Sequence, residues 1–210
     1  MWLEQRCEAC GTSGPAVCVT CLGRLSVPAV MWAGPTDGAL ADCRSLLCFE
    51  GPGRDLVVAL KYRNGRHLGR LLGAAMAGLV DPGDIDVVTW APTTRVRRDR
   101  RGYDQSRLLA RGVARVLGRP CHPLLRRGPG PPQTGRSLAQ RQIGPRFSAR
   151  RVPRASVLVV DDVVTTGATL EHAARALRAG GAQRVAAVTA ARTLSRSDRV
   201  AQARSSPSRD

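Results

Sequence analysis

The stretch "VLVVDDVVTTGATL", residues 157–170, runs four branched aliphatic residues into two adjacent aspartates, followed by a turn of small and hydroxyl-bearing residues. Val157–Val160 has the length and composition of a buried strand bounded by a turn. Such a strand delivers Asp161 and Asp162 to the edge of a sheet. Thr165, Thr166, Gly167, Ala168 and Thr169 then form a tight turn into the next helix. That turn aims backbone N–H groups and threonine hydroxyls at one point, where the helix dipole adds its attraction, and this is phosphate-binding chemistry. Two carboxylates beside it serve either a vicinal diol or a divalent cation. A phosphate and a diol at that separation describe a ribose 5-phosphate. Helix capping by Asp162 and one threonine would occupy only part of this set.

Working outward, "DVVTWAP" (86–92) reads as a short strand, and "DQSRLLARGVARVLG" (104–118) as a helix with Leu109, Val113, Val116 and Leu117 on one face. A helix from about Thr169 to Ala179, stopped by Gly180 and Gly181, leads to the strand "RVAAVTAAR" (184–192). Upstream, "LGRLLGAAMAGLV" (68–80) spaces Leu68, Leu71, Leu72, Ala75, Met76 and Leu79 as a core-facing helix. Arg70 interrupts it, and it is too short to span a bilayer. Strands alternating with amphipathic helices predict an α/β fold with a parallel sheet, whose ligands sit at the carboxyl ends of the strands. The aspartate pair lies at one such end. The Gly- and Pro-rich stretch 126–142 reads as a long loop.

A nucleotide-binding P-loop is the rival reading, because "VLVVDD" also resembles a Walker B strand and "GPPQTGRS" (130–137) fits the Walker A spacing. Pro131 and Pro132 exclude it, since they remove two N–H donors from a loop whose function is to donate them.

"CEACGTSGPAVCVTC" places Cys7 and Cys10 as one C-x-x-C pair and Cys18 and Cys21 as a second. Two such pairs bring four thiolates to a tetrahedral Zn²⁺, a closed and therefore structural site. The start, "MWLEQRCEAC", has no apolar run, which predicts no secretory leader and a cytoplasmic setting in which disulfides do not form. Cys43, Cys48 and Cys121 stand apart as buried thiols. His67, His122 and His172 are scattered and form no triad.

The formal net charge is +17, carried almost wholly by arginine, with Lys61 the only lysine. That excess favours a polyanionic partner, either a phosphorylated small molecule or nucleic acid. Aromatic residues make up 3% of the chain, too few for a base-stacking platform. Composition divides the chain into a cysteine-rich module (1–35), an α/β domain (44–193) and a polar tail (194–210) expected to be disordered.

"VLVVDDVVTTGAT" (157–169) also resembles, at each of its positions, the phosphoribosyl pyrophosphate (PRPP) motif of type I phosphoribosyltransferases. "LVVALKYRNGRHLGRLLG" (56–73), "APTTRVRRDRRGYDQSRLLA" (91–110) and "QTGRSLAQR" (133–141) are similar to successive blocks of the ComF family, the ComFC/GntX-like group. Asp104 stands where that family usually has Asn, and Gly144 where it often has Asn. The resemblance implies a type I phosphoribosyltransferase fold with a small N-terminal zinc-ribbon-like module. It implies that Asp161 and Asp162 hold the ribose hydroxyls and that Thr165, Thr166, Gly167, Ala168 and Thr169 wrap the 5′-phosphate. Thr93, Thr94 and Arg95, helped by Arg100 and Arg101, would meet pyrophosphate with Mg²⁺. The loop 126–142 would close as a flap over bound PRPP. Lys61 falls in the family's "LKY" block, kept either as a compact point charge or by chance. A link to natural competence and DNA uptake is implied as well. Two functions follow: phosphoribosyl transfer to an unidentified acceptor, or a non-catalytic PRPP sensor or single-stranded DNA-binding protein.

Overall fold

A computed structural model describes residues 5–28, 38–128, 145–152, 154–195 and 198–199. After a short N-terminal helix α1 (Val19–Leu22), the elements are β1 (Cys43–Cys48), α2 (Gly51–Tyr62), α3 (Leu68–Ala77), β2 (Val87–Trp90), α4 (Arg95–Arg101), α5 (Gln105–Leu117), β3 (Leu125–Arg127), β4 (Phe147–Ala149), β5 (Ser156–Val164), α6 (Ala168–Ala179) and β6 (Arg184–Arg192). The main sheet has the order β1-β6-β5-β2, and every pairing in it is parallel. Buried on both faces, β5 and β6 are near-continuous aliphatic runs, as central parallel strands must be. Side chains alternate across β5: Leu158 and Val160 join one core with α2, α3 and α5, while Val157 and Val159 join another with α6. The α/β architecture expected from the sequence, a parallel sheet flanked by helices, is the one observed.

Three local expectations are corrected. First, β5 runs to Val164, because Asp161, Val163 and Val164 still pair with Thr189, Ala191 and Arg192 of β6. The aspartates therefore lie within the strand, and the turn shrinks to the residues around Gly167. Second, α3 buries Leu68, Gly69, Leu72, Gly73, Met76 and Ala77 and leaves Leu71 46% exposed. Its packing partner is α5, and the contact is made by glycines. A Cβ at Gly73 would stand 2.7 Å from the Leu109 carbonyl oxygen, and one at Gly112 would stand 2.7 Å from that of Gly69. That contact turns the glycine edge inward and rotates Leu71 out; on α5, Val116 is exposed for its part while Ala110 and Ala114 are buried. Third, Arg126 and Arg127, expected as the start of the loop, form with Leu125 a strand paired antiparallel with β4. Residues 129–142 of the expected flap, the rejected 130–137 stretch, residues 29–35 of the cysteine module and most of the tail lie outside the described residues. Among the described residues no helix is long and apolar enough to cross a membrane.

Candidate ligand site at the carboxyl ends of β5 and β2

Asp162 is buried, and both its oxygens are engaged. Lys61 Nζ, from the last turn of α2, lies 2.9 Å from Oδ1, and Gln105 Nε2 donates to Oδ2 at 2.6 Å. Asp161 Oδ1 accepts from the Ser106 hydroxyl and from the Asp162 N–H, each at 2.8 Å. Its Oδ2 accepts no hydrogen bond among the described residues. Burial, reinforced by the neighbouring Asp162 charge, pushes the Asp161 carboxyl up to about 7, against the Asp162 N–H, the Ser106 hydroxyl and the Lys61 ammonium, which lower it. The two aspartates thus differ: one is anchored by a cation and an amide, and the other keeps an open oxygen.

Gln105 and Ser106 escaped the sequence reading. They occupy the first turn of α5, and only the packing of α5 onto β5 shows that they reach the aspartates. The lone lysine is also explained locally. It reaches Asp162 as a compact ammonium, 18% exposed.

Past β5, Gly167 adopts φ +76° and opens α6. Only glycine takes this left-handed conformation freely, and it sets the angle between strand and helix. The first turn of α6 presents N–H groups that have no carbonyl within the helix. Thr166 Oγ1 accepts weakly from the Ala168 N–H at 3.4 Å, and Thr165 Oγ1 lies 3.4 Å from Thr193 Oγ1. Thr165 and Thr166 are exposed, Ala168 and Thr169 half-buried.

Beside this turn, the loop after β2 is held against β5 by the Ala91 N–H on the Val160 carbonyl. Asp104 orders the loop from the other side. Its Oδ1 caps α5 through the N–H groups of Ser106 (3.1 Å) and Arg107 (3.3 Å), and its Oδ2 accepts from the Thr93 N–H at 3.1 Å. Both oxygens work as acceptors, which explains an aspartate at this position: an asparagine would turn an NH₂ toward one of these donors. Burial raises the Asp104 carboxyl above its ordinary value, with the Asp162 charge adding to it, against the lowering effect of the Thr93, Arg107 and Ser106 N–H groups.

The basic run 95–101 is a helix, capped by Thr94 Oγ1 on the Arg97 N–H (3.3 Å) and ended by left-handed Gly102. Arg95 pairs with Asp99 at 3.5 Å, and Arg100 is exposed. Arg101 donates to Gln105 Oε1 at 2.7 Å and lies 4.9 Å over the Tyr62 ring, so of the three it alone is tied to the aspartates, through Gln105. Arg127 is a further unanticipated member. It donates to the Pro92 carbonyl at 3.3 Å and lies 5.7 Å over the Phe147 ring. Burial, with Arg97 adding, lowers its guanidinium, and the charges of Asp161 and Asp104 oppose the shift.

At the N-terminal end, the sulfurs of Cys7, Cys10, Cys18 and Cys21 all lie within 4.8 Å of one another, with Cys10 and Cys18 3.7 Å apart. A tetrahedral Zn–S₄ shell with bonds of about 2.3 Å separates its sulfurs by about 3.8 Å, so the cluster fits a metal such as zinc. Gly11 (φ +78°) permits the turn that folds the first pair back. Burial would raise the Cys7 thiol, but N–H groups of Cys18, Cys10 and Ala9 outweigh it and bring it to about 6. Burial and the other three sulfurs push Cys21 up to about 12. Ionised together at this spacing, the four would be held by a cation between them. Glu8 of the module pairs with His67 at 3.2 Å, and Ala9, Ala16, Val17 and Leu25 pack on the core beneath α2 and α3.

Residues 106–206, a little under half of the chain, match the family of phosphoribosyl transferase domains. No curated protein is detectably similar to the sequence. Among solved structures the chain is similar to glutamine PRPP amidotransferase from B. subtilis, determined with ADP and GMP (23% identity, TM-score 0.45). The similarity covers 63% of this chain but only 30% of that one. It is also similar to a purine phosphoribosyltransferase from Pyrococcus horikoshii (18% identity, TM-score 0.36, 59% of this chain and 82% of that one). A protein of Thermus thermophilus gives 21% identity and a TM-score of 0.39 over 61% of this chain and 84% of that one.

Proposed function

We propose that the chain is a PRPP-binding phosphoribosyltransferase-like protein of the ComF type, which transfers the phosphoribosyl group to an acceptor and releases pyrophosphate. One observation carries this reading: paired carboxylates at the end of β5 lead directly into the glycine-opened start of α6. Asp161, through its open Oδ2, and Asp162 accept from the ribose hydroxyls, and Thr165–Thr169 with the first turn of α6 hold the 5′-phosphate. Thr93, Thr94 and Arg95 meet the pyrophosphate, helped by Arg100 and Arg101 of α4 and by Arg127, whose guanidinium is tied to Pro92 in the same loop. Asp161, with its open Oδ2, would help hold a Mg²⁺ bound with PRPP, which would supply charge neutralisation for the leaving pyrophosphate. The bond from ribose C1 to pyrophosphate breaks as the acceptor's bond forms, and carboxylates near C1 stabilise the positive charge that develops there. The four cysteines hold one structural zinc per chain.

The commitment of one contact on each Asp162 oxygen to Lys61 and Gln105 leaves room for ribose but ties the carboxylate to the protein, and this favours a second reading, a PRPP sensor without turnover. Calorimetric titration of PRPP with Mg²⁺, at low and high salt, tests what both readings share. Saturable binding of one PRPP per chain that survives high salt is expected, and no binding would overturn both. Pyrophosphate release on screening acceptors then separates enzyme from sensor.

A further inference from the structure

The arginine excess is not consumed by the aspartate site. A cleft of about 510 Å³ between α3 and α5 is lined by Arg66, His67, Arg70, Arg111 and Arg115, with Leu108 and Gly112 as its floor. No carboxylate lines it. None of the four arginines has an ion-pair partner among the described residues, and the nearby Glu8 is committed to His67. Arg70 of α3 and Arg66 in the turn before it make one row, and Arg111 and Arg115, one helical turn apart on α5, make the other; both rows line the same cleft. The glycine contact of Gly69 and Gly73 with α5 forces the rows together: a Cβ at Gly69 would stand 2.6 Å from Leu108 Cβ. All four arginines are exposed, so water screens their mutual repulsion, and a bound anion would relieve what remains. Arg66 is further steadied over the Tyr103 ring at 4.8 Å.

We propose that this cleft is a second anion site, distinct from the β5 turn, for a linear chain of three or more phosphates. One phosphate has oxygens enough for two guanidiniums, and four guanidiniums spread along one cleft call for a chain of phosphates. The cleft falls within the size range of small-molecule pockets, about 300–1,000 Å³. With no aromatic side chain on its floor it offers no stacking surface for the bases of a single strand.

The test is calorimetry with inorganic tripolyphosphate and with ATP, without Mg²⁺, at one physiological ionic strength. Wild type is expected to bind tripolyphosphate at one per chain. The triple variant R70Q/R111Q/R115Q should bind it at least tenfold more weakly while its PRPP affinity is unchanged. D161N/D162N should behave in the opposite way. R54Q/R150Q/R151Q removes the same charge from exposed positions elsewhere and should leave binding intact. Tighter binding of ATP assigns a nucleotide triphosphate, and equal binding assigns the phosphate chain itself. If the triple variant does not fold, R111Q alone is read, with a loss of at least threefold. Unchanged binding in the cleft variants, competition by PRPP, or preference for an oligothymidine single strand would each overturn the assignment.

Discussion

Asp161 is the residue on which the proposed chemistry turns, and its environment makes it pH-sensitive. Its carboxyl sits near 7, above the ordinary value of about 3.9. The folded protein therefore binds a proton there that the unfolded chain has already lost. Asp161 costs nothing at pH values below the ordinary one, and stability falls as pH rises through 7. Thermal melts of Asp161→Asn and wild type should diverge as pH rises from 5 to 8, the variant becoming relatively more stable; parallel curves would contradict the shift. Ligand binding runs the other way, because the ribose hydroxyls and the cation want the ionised carboxylate. PRPP affinity should weaken as pH falls below 7. The double variant Asp161→Asn, Asp162→Asn should keep the fold and lose PRPP binding altogether, and unchanged affinity would remove both residues from the site.

At the scale of elements, α5 does two jobs that its sequence shows separately. Its N-terminus brings Asp104, Gln105 and Ser106 to the aspartates, and its middle meets α3 backbone to backbone. Asp104→Asn keeps one acceptor and turns an amide on another N–H, so it should cost about 1 kcal/mol by chemical denaturation. It should also weaken PRPP binding by loosening Thr93, and an unaltered affinity would show that the loop is held by other means. Gly73→Ala places a methyl 2.7 Å from the Leu109 carbonyl oxygen and 2.8 Å from Gly112 Cα. The helices must move apart, at a cost of about 1–3 kcal/mol. Gly78→Ala, whose added Cβ would lie 3.4 Å from the Ala75 carbonyl oxygen, should cost far less. Equal melting temperatures for the two variants would show that the α3–α5 contact is looser than described.

For the whole molecule, the cysteine module and the α/β domain share a core surface beneath α2 and α3. One zinc per chain should co-purify, measurable by elemental analysis. Cys18→Ser should lose it and lower the melting temperature, whereas a metal-free, fully folded wild type would contradict a structural zinc. Much at this scale was legible in the sequence. Parallel strands buried on both faces write themselves as aliphatic runs such as Val157–Val160 and Val185–Ala191, and glycines mark the turn at 167 and the stop at 180–181. Paired C-x-x-C spacing foretold the clustered sulfurs. These are local signals, set by backbone conformation and by residues adjacent in the chain. The tertiary structure alone decided which face of α3 is buried, because a glycine contact depends on a helix more than thirty residues away. It alone showed that Lys61 and Gln105 engage Asp162, that Asp104 spans a loop and a helix cap, and that two arginine rows share one cleft. Charges and hydrogen-bond donors act across space, and their partners exist only once the sheet has brought distant segments to the same edge.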